Sequence, residues 1–204
     1  MVSFTAREVR DIVISMLFIT VIFAYIFSQN NINAFILLMP ALLVAVGIGF
    51  ILHELAHKFV AVRYGLYAEF RMWFEGLIFA IITAIIAKFA FVAPGAVYIH
   101  GDHITSEQNG KISLAGPLVN IVLALIFLGL TPYINNNTTD VSGFILNNLI
   151  SFGFLINSYL AAFNLIPFTI LDGLKVLRWN PLIWGITFVF SVILVLRGLN
   201  IIIF

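Results

Sequence analysis

The chain has 204 residues, no cysteine and a formal net charge of +1, with 62% hydrophobic and 9% charged residues. Soluble domains carry about 25% charged residues, so a chain with a mean hydropathy of +1.13 cannot cover its surface in water and needs lipid as its solvent. The missing cysteines exclude disulfides, thiolate metal sites and a cysteine nucleophile, and nothing basic and aromatic offers nucleic acid a footing.

Charge-free apolar runs mark the spans in chain order. Ile12–Phe27 comes first, behind a charged N-terminus with no small-residue cleavage site, and reads as a retained span rather than a signal peptide. Ala34–Leu52 is the second, with helical pattern continuing through HELAHKFVAVRYG to about Tyr64. Ile112–Leu130, Gly143–Leu171 and Pro181–Leu196, the last continuing to Phe204, complete five. Each approaches the roughly 20 apolar residues that a crossing helix needs. The expected fold is a polytopic all-α membrane bundle, residues 1–204 forming one domain.

Gly65–Gly110 is harder to read. Its apolar pieces, Gly76–Ala87 and Phe89–Ile99, flank Lys88 and contain a Pro94-Gly95 turn signal. A sixth span, a re-entrant helical hairpin or a small embedded β-sheet all fit; non-helical backbone at that depth must be covered by protein or line a wet cavity. Basic residues arbitrate. If the stretch re-enters, Arg7, Arg10, Lys58, Arg63, Arg71, Lys88, Lys111, Lys175 and Arg178 fall on or near one side, and only Arg197 lies towards the other. The positive-inside rule then predicts five spans with a cytoplasmic N-terminus. Asn136-Asn137-Thr138 and Asn137-Thr138-Thr139 are weak candidate glycan acceptors in the outside loop.

The chemistry concentrates in His53-Glu54-Leu55-Ala56-His57. On a helix, positions i and i+4 share a face, so both imidazoles reach one metal ion. Glu54 lies about 100° round the helix from His53, beside the metal rather than on it, where it can act as general base towards a water the metal polarises. Glu8, Asp11, Asp102, Glu107 and Asp140 read as loop or tail residues, which leaves Glu54 and Asp172 as the acidic residues of the clear spans. Intramembrane ionisable residues cost at least about 2.5–3.5 kcal/mol and mark function by default. The bland alternative is an ion cluster or a pair of satisfied histidines joining helices.

A catalytic zinc usually takes three protein ligands, and Asp172 is the candidate third. Pro167 disfavours a continuing helix ahead of it, and Gly173 permits a backbone that aims it inward. The alternative on local grounds is that Asp172 caps a helix over Gly173–Arg178. His100 and His103 are competing ligands in a polar loop, where a solvated role is the simpler reading. Depth poses a problem: His53 lies about 18 Å along a helix from Gly65, but Asp172 only about 5 Å from Lys175. The two meet only if the chain unwinds around Pro167 and folds back into the bilayer.

HELAH in the second span, Ala115-Gly116-Pro117-Leu118-Val119-Asn120 opening a later one, and Asn164-x-x-Pro167 followed by Leu171-Asp172-Gly173 resemble, in that order, the site-2 protease family of intramembrane zinc metalloproteases. The resemblance covers most of Ala34–Gly173. It implies one zinc ion per chain on His53, His57 and Asp172, Glu54 as base, and Asn164 holding substrate or the developing oxyanion. It also implies transmembrane protein substrates, a prokaryotic cell membrane, and an embedded β-sheet after the HELAH helix, where Phe70–Ile99 lies. Two departures stand out: no tight glycine pair in that strand region, and Leu174 where a second glycine often follows Asp-Gly. The rival from another class is a metal- or proton-coupled transporter using the same polar residues; a third is an inactive relative that binds membrane proteins.

Overall fold

The structure, a computed structural model, describes residues 3–101, 104–135, 137 and 140–200. In chain order these form α1 (Ala6–Phe27), α2 (Ile32–Arg63), β1 (Tyr67–Met72), α3 (Phe74–Ala87), β2 (Gly95–His100), α4 (Ser106–Leu130), α5 (Val141–Asn164), α6 (Asp172–Trp179) and α7 (Pro181–Gly198). A short 3-10 turn, Thr131–Tyr133, follows α4. Helices α1, α2, α4, α5 and α7 are long and apolar enough to cross a membrane. At 14 residues, α3 spans only about 21 Å, short of a hydrocarbon core of about 30 Å.

Local chemistry sets the helix starts. The Thr5, Asn31, Asp140 and Asn180 side chains each accept a backbone N–H of the following turn, and Thr105 and Gln108 form a reciprocal capping box. Packing does the rest. Helices α1, α2 and α5 share one apolar cluster that includes Ile19, Phe23, Leu42, Val46, Phe50 and Ile156. Ala41 and Ala45 of α2 are fully buried, the second in this cluster, small side chains that let the helices approach closely.

The segment between α2 and α4 re-enters rather than crosses. β1 and β2 pair antiparallel, Tyr67 opposite His100 and Met72 opposite Gly95, so the chain returns to the level at which it left. The Trp73 N–H donates to the Pro94 carbonyl at 2.7 Å and closes the inner end of the ribbon. Strand, short helix and strand together replace both the hairpin and the sixth span. One charge changes place: Lys88, in the left-handed region at the end of α3, donates to Tyr25 Oη at 2.8 Å and Asn30 Oδ1 at 3.2 Å. It therefore sits at the far end of α1, away from Arg7 and Arg10, because the last turn of α1 and the α1–α2 turn hold its acceptors.

Two further expectations are corrected. Glu8 and Asp11 are not tail residues; α1 starts at Ala6, and both are buried. Glu8 is neutralised by Lys58 Nζ at 2.7 Å and accepts the Phe70 N–H at 3.0 Å, while Asp11 accepts the Met72 N–H at 3.4 Å. The outer edge of β1 is thus occupied by carboxylates of α1. Glu69 in β1 accepts from the Thr5 hydroxyl, which holds its carboxyl below the ordinary glutamate range against the opposing effect of burial. The second correction is α5, which ends at Asn164, seven residues before Leu171. The run is free of charge throughout, but Pro167 has no N–H to continue the ladder.

Candidate metal centre

His53 and His57 sit one turn apart on α2, with their Nε2 atoms 3.0 Å apart. Asp172, the first residue of α6, brings Oδ2 to 3.1 Å from His57 Nε2 and 3.5 Å from His53 Nε2. The three ligand atoms lie within 4.8 Å of one another, the group of this kind found among the described residues. Both histidines are buried and Asp172 nearly so.

Asp172 reaches them because the chain leaves the helix at Leu165 and closes a loop on itself. A Cβ at Gly173 would collide with the Leu165 carbonyl, so α6 starts back at the level where α5 ended. Unwinding around Pro167 and folding back was the expected geometry. The reason for glycine at 173 differs: it permits close approach, and its φ is not in the left-handed region. Nor is Asp172 a helix cap; the N-cap position of α6 is Leu171, without a side-chain hydrogen bond.

The far nitrogens of the two rings fix the tautomers. His57 Nδ1 faces the Ile112 carbonyl at 2.7 Å, and a carbonyl only accepts, so the proton is on Nδ1. His53 Nδ1 faces Asn120 Oδ1 at 2.5 Å, and Asn120 is oriented by donating Nδ2–H to the Gly49 carbonyl at 3.1 Å. In the neutral rings that a metal ion requires, both Nε2 atoms present lone pairs to one another and to a carboxylate in a buried pocket. Such a convergence repels itself unless a cation lies within it, and two imidazoles with one carboxylate are a zinc donor set. Gly116 of α4 makes the room: a Cβ there would lie 2.6 Å from His53 Nε2 and closer still to His57 Nε2.

Glu54 is buried and lines the same cavity, of about 50 Å³, together with Phe50, Asn164 and the 94–97 segment at the start of β2. That volume admits an ion and at least one water. Asn164 donates one amide hydrogen to its own Leu160 carbonyl at 3.0 Å, leaving Oδ1 and a second hydrogen for the cavity. Lys175 stands 3.6 Å from Asp172 Oδ1. His100 pairs with Tyr67 at the mouth of the ribbon, apart from the metal group. His103 and the residues Asn136, Thr138 and Thr139 of the glycan motifs lie outside the described residues.

Sequence reasoning did not assign roles to Gly116, Asn120 and Asn157. Asparagines inside apolar spans were the available signal, since an amide in hydrocarbon demands partners.

The chain is 47% identical over 183 residues, 90% of its length and 90% of the relative's, to a Methanocaldococcus jannaschii protein whose name reads "Putative zinc metalloprotease". A zinc metalloprotease of the same organism is 28% identical over 80% of the chain, and a protein of the first name from Mycolicibacterium smegmatis is 35% identical over 39%. The chain spans 39% and 35% of the lengths of those two. No protein-family model and no solved structure matches. At 47% identity across nearly the whole of both chains, this multi-pass membrane protein belongs to the zinc metalloproteases.

Proposed function

We propose that the protein is an intramembrane zinc endopeptidase of the site-2 protease kind, acting as one unit over residues 1–204 on transmembrane protein substrates. One observation carries this: His53, His57 and Asp172 converge beside Glu54 in a buried cavity between helices that are able to cross a bilayer. One zinc ion held by the three ligands supplies a Lewis acid for the scissile carbonyl and lowers the pKa of water. Glu54 takes the proton of the attacking water on its carboxylate and delivers it to the leaving amide nitrogen. Asn164, with one amide hydrogen free, steadies the substrate carbonyl as charge develops on its oxygen.

A substrate helix resists attack because its backbone is already hydrogen-bonded. It must unwind, and an exposed strand edge can accept the extended segment. The ribbon offers one such edge: α1 occupies the outer side of β1, while β2 borders the cavity. Arg7, Arg10, Lys58, Arg63, Lys111, Lys175 and Arg178 gather at the α1-start, α2-end and α6 side, which supports a cytoplasmic N-terminus. The organisms of the relatives support a prokaryotic cell membrane. Their names speak for the peptidase over the transporter.

The test is metal analysis beside cleavage. Glu54→Gln is expected to keep stoichiometric zinc and lose 10²-fold or more in rate, of the order general-base catalysis contributes, whereas Asp172→Ala loses zinc. Zinc retained in Asp172→Ala, or turnover retained in Glu54→Gln, contradicts the assignment of roles.

A further inference from the structure

Behind His53 a chain of amides runs from α2 through α4 into α5. Asn120 uses its second Nδ2 hydrogen on Asn157 Oδ1 at 3.0 Å, and Asn157 Nδ2 donates to the Gly153 carbonyl at 2.8 Å. Asn120 and Asn157 are both fully buried. A Cβ at Gly49 would lie 2.7 Å from Asn157 Oδ1, so glycine there lets α2 and α5 close on the amide.

The direction of every hydrogen bond in this chain is forced. Main-chain carbonyls only accept. The Gly153 carbonyl thus turns the NH2 end of Asn157 towards itself, which leaves Oδ1 facing Asn120. The Gly49 carbonyl and Asn157 Oδ1 together claim both hydrogens of Asn120, which leaves its Oδ1 facing His53 Nδ1. We infer that Asn157 is a positioning residue for zinc binding: through Asn120 it holds His53 in the tautomer whose Nε2 lone pair points into the metal site. If Asn120 turned over, its NH2 would face the His53 Nδ1–H and the ring would have to move its proton to Nε2, closing that ligand.

The inference rests on the reading of His53 as a zinc ligand, and a His53→Ala control separates the two. The measurement is zinc affinity of the full-length protein in detergent, by competition with a chelator, alongside thermal unfolding of the zinc-free protein. Asn157→Leu removes donor and acceptor at similar volume and is expected to weaken zinc about 10–100-fold, the range for ligand-orienting partners. Asn157→Asp, carrying a proton in this buried position, keeps an acceptor for Asn120 and a donor for Gly153 and is expected to stay within about threefold of wild type. Gly49→Ala, which deletes no polar group but displaces the amide, is expected to follow Asn157→Leu. Wild-type affinity in Asn157→Leu and Gly49→Ala overturns the inference. So does equal loss in Asn157→Leu and Asn157→Asp, which makes Asn157 a packing residue. Unchanged zinc in His53→Ala would instead remove the site reading beneath it.

Discussion

Gly116 shows how one absent side chain shapes the centre. The HELAH motif makes the two histidines visible from spacing alone, and the surrounding lack of acidic residues singles out Asp172. Nothing in that spacing says that a neighbouring helix must come within van der Waals distance of both Nε2 atoms, as α4 does at Gly116. Gly116→Ala inserts a methyl group where the ligands converge. Overpacking of this kind costs about 1–3 kcal/mol, and it falls here on the bound geometry. Chelator competition is expected to show weaker zinc, with the fold retained; unaltered affinity would mean that α4 yields without disturbing the rings. Glu8 and Asp11 were misread: a position near the N-terminus resembles a tail, and for Glu8 only the tertiary partners Lys58 and Phe70 show why a carboxylate is buried there.

At the scale of elements, the spans were legible because period and length carry them, and α2 runs within two residues of its expected limits. The end of α5 was not, because hydropathy continues to Leu171 while the hydrogen-bond ladder stops near Pro167. The 65–110 segment was legible as re-entrant from its charges, with a small sheet among its alternatives, but the helix between the two strands was not, since short apolar pieces do not distinguish strand from helix by periodicity. What holds the ribbon is α1. The Glu8–Lys58 pair, 2.5 Å at its closer contact and buried on both sides, links α1 to the residue after His57 and, through the Phe70 N–H, to β1. Removing one partner of a buried pair is costly, about 3–5 kcal/mol, whereas replacing both is far less so. Lys58→Met is therefore expected to destabilise strongly and Glu8→Gln with Lys58→Met to recover most of the loss, read from unfolding midpoints. A double variant no more stable than the single one would show that the charge on Glu8 is needed by the β1 edge itself.

For the whole molecule, the re-entrant ribbon and the return of the chain through α4 and α5 bring the end of α2, the start of α4 and all of α6 to one side. That arrangement lets a ligand pair on α2 and a third ligand after α5 meet below the surface, which six crossings would have prevented. The central claim is that peptide bonds are cut within the bilayer by this centre. It is tested most directly by co-reconstituting the protein in liposomes with a single-span substrate and mapping the product termini by mass spectrometry. The account predicts cleavage inside the apolar segment of the substrate, absent with Glu54→Gln and absent after zinc is chelated. Cleavage confined to the water-exposed flanks, or persisting in Glu54→Gln, would contradict it.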